Sequence, residues 1–398
     1  MAFLSTVIGQ LDTPAALIDY DIMMNNIKTM SARAATAGVK LRPHTKTHKC
    51  PLIAHLQLAN GATGITVAKI GEAEVMAEAG IQDILVAYPI IGEAKASRLL
   101  NLRNWVPKIA CTIDSIEGAR GLSEAALRAN VRSDEPLDVY IEVDVGLKRV
   151  GLPAGDDVVH LASAIVDLRG IRFKGILTHA GQAYSTTDRE ALLSVARTEA
   201  RLMAQTAEML RDTGIAVEEV SIGSTPTSFV IDELHGITEM RPGTYVFNDT
   251  DLVALGVAGL DDCALSVLMT TVSRPADDRI VFDGGTKTLS SDKPAQSRIP
   301  GHGVVKGYPD IWIERLNEEH AMARIDRGVT AAWQHSAKAN SAASVVATGT
   351  PVIPSIGDKV QVVPNHVCVV SNLFDRFFVT RDGYVVGEWR VQGRGKLA

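Results

Sequence analysis

The segment Arg42–Lys49, which reads RPHTKTHK, holds the densest group of side chains able to do chemistry. In an extended chain alternate side chains share a face, so His44, Lys46 and His48 are predicted to point together. The amine of a lysine crowded by other cations has a lowered pKa, which makes it a usable nucleophile for a Schiff base. The alternative is a solvated basic turn. We predict that Lys46 is a nucleophile at the end of a strand.

Two segments rich in small and hydroxyl residues follow two later predicted strands. Gly223–Ser228 reads GSTPTS, and Arg241–Tyr245 reads RPGTY. Backbone N–H groups in such loops suit a phosphate, and barrels often hold a phosphate after their seventh and eighth strands. Each segment alone is typical of a plain turn. Together they favour a phosphorylated ligand.

A third group contains His366 and Cys368, which share a face of a predicted strand. Imidazole and thiolate suit Zn²⁺ or a similar transition metal, and a catalytic metal keeps open positions. The alternative is a core cysteine beside a surface histidine. Two other residues are weaker candidates for an active site: Arg149, which follows a strand, and His320, which ends a charged turn.

Between residues 40 and 245, short β-branched runs alternate with amphipathic helical segments, which predicts parallel strands with helical crossovers. The number of strands is the one that closes a TIM-type (β/α)8 barrel. An open doubly wound sheet is the alternative, but no GxGxxG motif follows the first strand. The predicted strands are 40–43, 64–68, 83–88, 109–113, 138–144, 172–179, 217–222 and 237–241.

After residue 250 the pattern changes to short strands separated by Pro, Gly and Asp turns, which predicts a second, mostly β domain. The strand at 14–19 is a ninth by count, and we assign it to this domain. The predicted domains are therefore a barrel at 21–250, and a β domain at 1–20 and 251–398 that carries the metal site. The other strands predicted in the β domain are 264–273, 279–283, 322–326, 343–347, 359–363, 366–370 and 377–386.

Composition excludes several classes of protein. The chain has 398 residues, of which 46% are hydrophobic and 22% charged, as in ordinary globular proteins. A net charge of −6 argues against nucleic-acid binding, which needs a basic surface. No apolar run approaches the roughly 18 residues of a membrane helix. Four cysteines are too few for a disulfide scaffold and the first residues show no secretory signal, so we expect a cytoplasmic protein.

Taken together and in order, seven segments resemble the D-threonine aldolase/D-serine dehydratase family. The resemblance covers about residues 12–395. It implies pyridoxal phosphate as the cofactor, an alanine-racemase-like fold (fold type III) with a barrel and a β domain, and a homodimer. The segments are RPHTKTHK, VDVGLKRVG, THAGQAY, SIGSTPT, RPGTY, EEH and PNHVC.

The resemblance also implies roles for single residues. Lys46 would form the Schiff base with the cofactor, Arg149 would hydrogen-bond its phenolic oxygen, and Arg241 would pair with its pyridine nitrogen. His366 and Cys368 would bind a divalent metal, with Mn and Zn as the first candidates and Mg as a third. The other predicted cofactor-binding residues are His44, Gln182, Tyr184, Gly223, Ser224, Thr225, Gly243, Thr244 and Tyr245.

The implied substrate is a D-3-hydroxy amino acid whose amine joins the cofactor and whose β-hydroxyl binds the metal. We predict a D-threonine aldolase, which cleaves the Cα–Cβ bond and gives glycine and acetaldehyde, with His48 or His320 as base. The alternative is a D-serine or D-threo-3-hydroxyaspartate dehydratase, in which Lys46 removes the Cα proton. Cys368 is typical of the dehydratases but also occurs among aldolase-type members. A non-catalytic pyridoxal-phosphate carrier is the remote alternative.

Racemase activity is disfavoured by the segment Asp283–Thr288, which reads DGGTKT. Racemases of this fold need a tyrosine base in the comparable place of the β domain, and this segment contains none. The resemblance therefore favours a lyase over a racemase.

Overall fold

In the computed structural model the chain forms two compact units. The barrel unit runs from Lys28 to Gly243 and includes Gly395–Ala398, and the β unit runs up to Ile27 and from Thr244 to Arg394. The residues that the structure describes are 6–293, 301–325 and 353–398. None of the helices in these ranges is both long enough and apolar enough to cross a membrane.

The first elements along the chain are β1 (Thr6–Val7), β2 (Ala15–Asp19) and α1 (Tyr20–Thr36). The next strands are β3 (Lys40–Leu41), β4 (Ile65–Val67), β5 (Asp83–Pro89), β6 (Lys108–Ile113), β7 (Leu137–Asp144), β8 (Leu152–Pro153), β9 (Ile171–Thr178), β10 (Glu219–Ile222) and β11 (Glu239–Met240). The helices between them are α2 (Pro51–Ala59), α3 (Ile70–Glu78), α4 (Glu93–Leu102), α5 (Ile116–Arg128), α6 (Asp156–Ile165), α7 (Arg189–Asp212) and α8 (Thr225–Val230).

The strands from β3 to β11 form a parallel barrel. They pair in the order β3-β11-β10-β9-β7-β6-β5-β4, and the short β8 pairs with the end of β7. A parallel bridge between His44 and Thr66 joins the chain just after β3 to β4, so the sheet closes. Leu85, Tyr140 and Leu177 pack together as one buried cluster. The predicted TIM-type barrel is confirmed.

Local sequence signals set the limits of the barrel helices. At the start of α7, the carboxylate of Asp188 accepts the N–H of Ala191 at 2.8 Å. Just after its end, Gly214 takes a φ of +83°, a conformation that favours glycine. Because the strands are parallel, their carboxyl ends lie at one end of the barrel, which is where active sites of such barrels form.

The β unit is built mainly from antiparallel strands. Its pairing order is β1-β19-β18-β2-β12-β13-β16-β15-β14-β17, and β17 also pairs with β12. As far as the chain is described, β12 to β17 therefore close into an antiparallel barrel. Its later elements are α9 (Thr250–Ala254), β12 (Leu265–Ala276), β13 (Arg279–Phe282), α10 (Thr286–Leu289), β14 (Val304–Val305), β15 (Ile311–Leu316), β16 (Ala321–Ile325), β17 (Lys359–Val363), α11 (Val367–Ser371), β18 (Arg376–Arg381) and β19 (Tyr384–Arg390).

The N-terminal strand has the predicted place in this unit. β2 lies between β18 and β12, parallel to the first and antiparallel to the second. This position confirms the fold class of a barrel with a second, mostly β domain that includes an N-terminal strand.

Some strands of the β unit differ from the prediction. The strand predicted at 366–370 is wrong, because Asp249 Oδ2 accepts the N–H of Val367 at 3.2 Å and the segment forms the helix α11. The strand predicted at 377–386 is a hairpin, β18 and β19, that turns at two positive-φ residues, Asp382 and Gly383. The sequence does not predict β14 or β15. The strand predicted at 343–347 lies outside the described residues.

Candidate active site

Lys46 lies just beyond β3 on a tight turn and is partly buried. Thr45–Thr47 form a 3-10 turn, whose first carbonyl accepts the N–H groups of His48 and Lys49 at 3.1 and 2.8 Å. The Nδ1 atom of His44 accepts the N–H of Lys46 at 3.4 Å. The predicted extended segment is therefore wrong, and so is the shared face of His44, Lys46 and His48.

His48 is fully buried. Its Nδ1 accepts the N–H of Cys50 at 3.1 Å, so Nε2 carries the proton and donates to Gln57 Oε1 at 3.2 Å. Burial lowers the pKa of His48 to about 4. Both ring nitrogens are occupied by protein, which argues against the predicted role of His48 as a base. It fixes the path of the chain after Lys46 instead.

Three cations converge around two neutral histidines at the carboxyl end of the strands. Burial, and next the charge of Lys46, lowers the pKa of His44 and His179, to about 3 for His179. Arg149 and Arg241 act on both rings in the same direction. Lys46, Arg149 and Arg241 therefore lie close enough together to serve one anionic ligand.

His179 is a site residue that the predicted set does not include. Its Nδ1 donates to the carbonyl of Gly223 at 2.9 Å, so a neutral ring carries no proton on Nε2. The sequence feature that could have identified it is its position directly after β9, at the start of the HAGQAY segment. A histidine held in this way can accept a hydrogen bond or pack against a flat ring.

Arg241 is buried and held from two sides. Its Nη1 donates to Ser221 Oγ and its Nη2 to the carbonyl of Thr178, both at 2.5 Å. Arg149 is more exposed, and its Nη2 lies 3.6 Å from Glu142 Oε1. The pairing of Arg241 with the cofactor's pyridine nitrogen stays a prediction.

The segment after β10 is a helix start and not the predicted loop. Ser224 and Thr227 form a capping box at the beginning of α8. Gly223 has a φ of +137°, and a Cβ there would lie 2.7 Å from the backbone N of Arg241, so only glycine fits. The N–H of Gly243 donates to Thr225 Oγ1 at 3.1 Å. The two predicted phosphate segments are therefore linked to each other.

Glu199 on α7 is a second residue that the sequence does not reveal. It is fully buried, and its Oε1 accepts the N–H of Gly223 at 3.0 Å. Burial raises its pKa to about 6. Its carboxylate therefore holds the turn at Gly223 in place. The sequence does not reveal this role, because Glu199 lies within an ordinary amphipathic helix.

Gln182 and Tyr184 lie on a 3-10 turn, Gly181–Ser185, after β9. Gln182 Nε2 donates to the carbonyl of Val145 at 3.0 Å. Its Oε1 is buried and has no hydrogen-bond partner among the described residues. A buried amide oxygen without a partner is unfavourable, so this atom is suited to accept a hydrogen bond from a ligand.

In the β unit, Thr244 and Tyr245 form a 3-10 turn in which Tyr245 is fully buried. Thr244 Oγ1 lies 3.8 Å from Cys368 Sγ, in the first turn of α11. His366 is the residue before that helix, so the helical start, rather than a strand, brings His366 and Cys368 together.

Asp249 is the third residue that the prediction missed. It is fully buried, and its Oδ2 lies 3.6 Å from His366 Nδ1. Its Oδ1 caps α9 by accepting the N–H of Leu252 at 3.1 Å. Burial raises its pKa to about 7. A carboxylate behind a histidine is the usual device that orients a metal-binding imidazole.

His320 is the other predicted catalytic residue of the β unit. It is exposed, at the turn between β15 and β16, next to the ion pair of Glu319 and Lys287. Within the described ranges, no three or more His, Cys, Asp or Glu side chains form a group that could hold a metal ion.

The residues present fit the expected groups to different degrees. Three cations and an unpartnered amide oxygen in the barrel unit fit the phosphate, phenolic oxygen and polar ring of pyridoxal phosphate. An imidazole and a thiol in the β unit fit a divalent ion that keeps several positions open. The residues suited to bind pyridoxal phosphate therefore form a more complete site than the residues suited to bind a metal ion.

Comparison with known families decides the assignment. Residues 18–251, more than half of the chain, match the alanine racemase N-terminal domain, and residues 264–380 match a putative serine dehydratase domain. The chain belongs to the alanine racemase N-terminal domain family. This family implies pyridoxal phosphate as the cofactor, and it confirms the predicted resemblance.

Full-length relatives support the same assignment within this racemase-like family. The chain is 33% identical to a D-threonine aldolase of Arthrobacter sp., over 98% of this chain and 94% of the relative. It is 35% identical to the D-threo-3-hydroxyaspartate dehydratase of Delftia sp. strain HT23, over 96% of this chain and 98% of the relative. The crystal structure of a D-threonine aldolase from Filomicrobium marinum superposes with a TM-score of 0.83 at 30% identity, covering 99% of both chains. All three are lyases.

Proposed function

We propose that the protein is a pyridoxal-phosphate- and divalent-metal-dependent lyase of D-3-hydroxy amino acids, with D-threonine aldolase activity. The observation that carries this proposal is the convergence of Lys46, Arg149 and Arg241 on the neutral His179, at the carboxyl ends of the barrel strands. The substrate class is supported by the relatives, whose names specify D-threonine and D-threo-3-hydroxyaspartate.

The barrel unit holds the cofactor. When bound, pyridoxal phosphate supplies an electron sink for the substrate's α-carbon, and a divalent ion supplies a Lewis acid for its β-hydroxyl. Lys46 would hold the cofactor covalently through its amine and would hold a proton while the substrate is bound. Arg149 donates to the phenolic oxygen. The segments that begin at Gly223 and Gly243 hold the phosphate.

In the β unit, His366 and Cys368 are the proposed metal ligands. Asp249 orients the imidazole from its Nδ1 side, which leaves Nε2 for the ion. Of the two histidines predicted as the base for the β-hydroxyl proton, His320 is exposed, whereas both ring nitrogens of His48 are occupied by protein.

The second candidate is a dehydratase that releases ammonia and an oxo acid. Two observations favour it: the 35% identity to the Delftia enzyme, and a cysteine at position 368. In that reaction Lys46 would remove the proton from the α-carbon. The same residues would bind the cofactor and the metal in both reactions.

A product assay separates the two candidates. The protein is incubated with pyridoxal phosphate and Mn²⁺ or Zn²⁺, separately with D-threonine and D-serine, with the L-enantiomers as controls. We expect glycine and acetaldehyde from D-threonine. Ammonia and pyruvate from D-serine would overturn the aldolase in favour of the dehydratase. Full turnover by Lys46→Ala would overturn both.

We also propose a homodimer, as the family resemblance implies. Light scattering coupled to gel filtration would then give twice the chain mass of 42.6 kDa. A particle of single-chain mass that turns over substrate at the full rate would overturn this proposal.

A further inference from the structure

Glu199 is a buried carboxyl beside the segment that begins at Gly223. It lies in the middle of α7 and is fully buried. Its Oε1 accepts the N–H of Gly223 at 3.0 Å, and the carbonyl of the same glycine accepts the Nδ1–H of His179 at 2.9 Å. The next residue, Ser224, is the N-cap of α8. The carboxyl is therefore one peptide group away from a segment proposed to hold the cofactor's phosphate.

The second oxygen of this carboxyl lacks a donor. Glu199 Oε2 is buried and has no hydrogen-bond partner among the described residues. The hydroxyl of Thr227 lies nearby, but it donates to the carbonyl of Ser224 at 3.2 Å. A buried charged oxygen without a donor is unfavourable. The geometry therefore supports only one of the two oxygens of an ionised carboxylate.

Arg241 is the cation that faces Glu199, and it is shared. Its guanidinium favours the ionised form of Glu199, but it also faces the carboxylates of Glu142 and Glu239. All three of these carboxylates are buried. One positive charge therefore serves three buried acids, and it does not hold Glu199 in its charged form.

The other groups around Glu199 are uncharged. The N–H of Ala180, after β9, and the hydroxyl of Thr227, on α8, favour the ionised form. The ring of His179 is neutral, because burial lowers its pKa to about 3. Burial of Glu199 outweighs these contributions and raises its pKa to about 6. The carboxyl can therefore change its charge near neutral pH.

A phosphate bound at this segment would place a second anion beside the carboxyl. Like charges repel strongly in a poorly hydrated interior, and this repulsion favours the neutral form of an acid. Glu199 Oε2 can take up a proton while Oε1 keeps its hydrogen bond to Gly223. Protonation removes the repulsion and turns Oε2 from an unpartnered acceptor into a donor.

We propose that Glu199 takes up one proton when the phosphate of pyridoxal phosphate binds, and that it is a neutral carboxylic acid in the loaded protein. The proton comes from solvent, and no bond of the cofactor changes. Glu199 is thus a positioning residue that acts through Gly223 and adapts the charge of the site to an added anion. This inference rests on the proposed function for the place of the phosphate.

Titration calorimetry in two buffers of different ionisation enthalpy counts the protons taken up on binding. Pyridoxal phosphate is titrated at pH 7 into the cofactor-free wild type and Glu199→Gln, since glutamine imitates the neutral acid. The ionisation of the phosphate and of Lys46 is common to both proteins and cancels in the difference. We expect the wild type to take up about one proton more than the variant. Glu208→Gln, at an exposed glutamate of the same helix, is the matched control and should behave as the wild type.

Pyridoxal, which lacks the phosphate, separates the phosphate from the rest of the cofactor. It should bind to the wild type and to Glu199→Gln with equal numbers of protons, and a difference as large as that with pyridoxal phosphate would overturn the role of the phosphate. Equal proton numbers for pyridoxal phosphate in the two proteins would overturn the inference and leave the proposed function intact. A wild type that does not bind the cofactor would overturn the proposed function, and the inference with it.

The pH dependence of affinity is a readout that a purely structural role would not change. Between pH 6 and 8, the Kd of pyridoxal phosphate for the wild type, relative to that for Glu199→Gln, should rise by up to about tenfold per pH unit. A carboxylate that only holds the turn would give parallel profiles, which would overturn the inference. If the variant does not fold, the infrared difference spectrum of the wild type, loaded minus cofactor-free, should contain the C=O band of a newly protonated carboxyl. Absence of that band would also overturn the inference.

Discussion

The barrel unit and the β unit position their candidate site residues in different ways. In the barrel unit, each candidate residue lies at a strand end and is held by neighbours, as Arg241 is by Ser221 and Thr178. In the β unit, two predicted metal ligands lie at the start of a five-residue helix that depends on Asp249. The residues proposed to hold the cofactor are therefore positioned by the sheet, whereas the two proposed metal ligands are positioned by one buried carboxylate.

The largest effects are expected from substitutions of Lys46 and His366, which should affect cofactor binding and metal binding separately. Lys46→Ala should lower kcat by about 10³-fold or more and abolish the spectrum of bound cofactor, while metal content stays unchanged. His366→Ala should have the opposite effect on the two bound groups: the metal should be lost and the spectrum of bound cofactor should stay unchanged. Absorption spectra and elemental analysis of both variants measure this. Loss of both groups in either variant would contradict the independence of cofactor binding and metal binding.

The next effect concerns the pH dependence of barrel stability. His48 is buried with a pKa of about 4, against 6.5 in the unfolded chain, so its contribution to the free energy of unfolding is full above pH 6.5. That contribution, about 3 kcal/mol, is lost as the pH falls from 6.5 to 4. Urea unfolding of His48→Gln should therefore depend less on pH than that of the wild type. Parallel pH profiles would show that His48 has the same pKa in the folded and the unfolded chain.

A smaller effect is expected from Asp249→Asn. Asparagine keeps one acceptor oxygen, which can cap α9, but its amide nitrogen replaces Oδ2, so the charge behind His366 and the acceptor for the N–H of Val367 are both removed. Metal affinity should fall by about 10- to 100-fold, with cofactor affinity unchanged. Asp261→Asn, at an exposed aspartate of the same unit, is the control. Unchanged metal affinity would show that Asp249 serves only the fold of α11.

The smallest expected effect is that of Ser224→Ala in the barrel unit. The change removes the capping box of α8 and should lower the free energy of unfolding by about 1 kcal/mol. Thermal unfolding of the cofactor-free protein measures it, with the exposed Ser185→Ala as control. If the free energy of unfolding falls no more than in the control, the sheet alone holds the start of α8 in place.

The sequence predicts the two units unequally for physical reasons. Buried parallel strands and amphipathic helices give strong periodic signals, so β5, predicted at 83–88, is observed at Asp83–Pro89. The segment His366–Val370 is rich in β-branched residues, but a hydrogen bond from a residue 118 positions away turns it into a helix. Local patterns do not contain such a contact.

The same limit applies to the candidate site. The predicted residues Lys46, Arg149 and Arg241 come together, because each follows a barrel strand. Glu199 and Asp249 act through other residues, and nothing in their local sequence marks them. The predicted shared face of His44, Lys46 and His48 is wrong, because a 3-10 turn replaces the extended chain that alternation assumes.

Lys46 lies at the seam where the two ends of the barrel meet. β3 pairs with β11, Lys40 opposite Glu239, and His44 makes the closing bridge to Thr66. During synthesis, the chain must therefore emerge from the ribosome past Glu239 before the first strand has its partner. A nascent chain therefore contains Lys46 early, but it lacks the later strands whose residues surround that lysine in the folded barrel. Such long-range closure is slow, so recovery of activity on refolding should lag behind the appearance of helices.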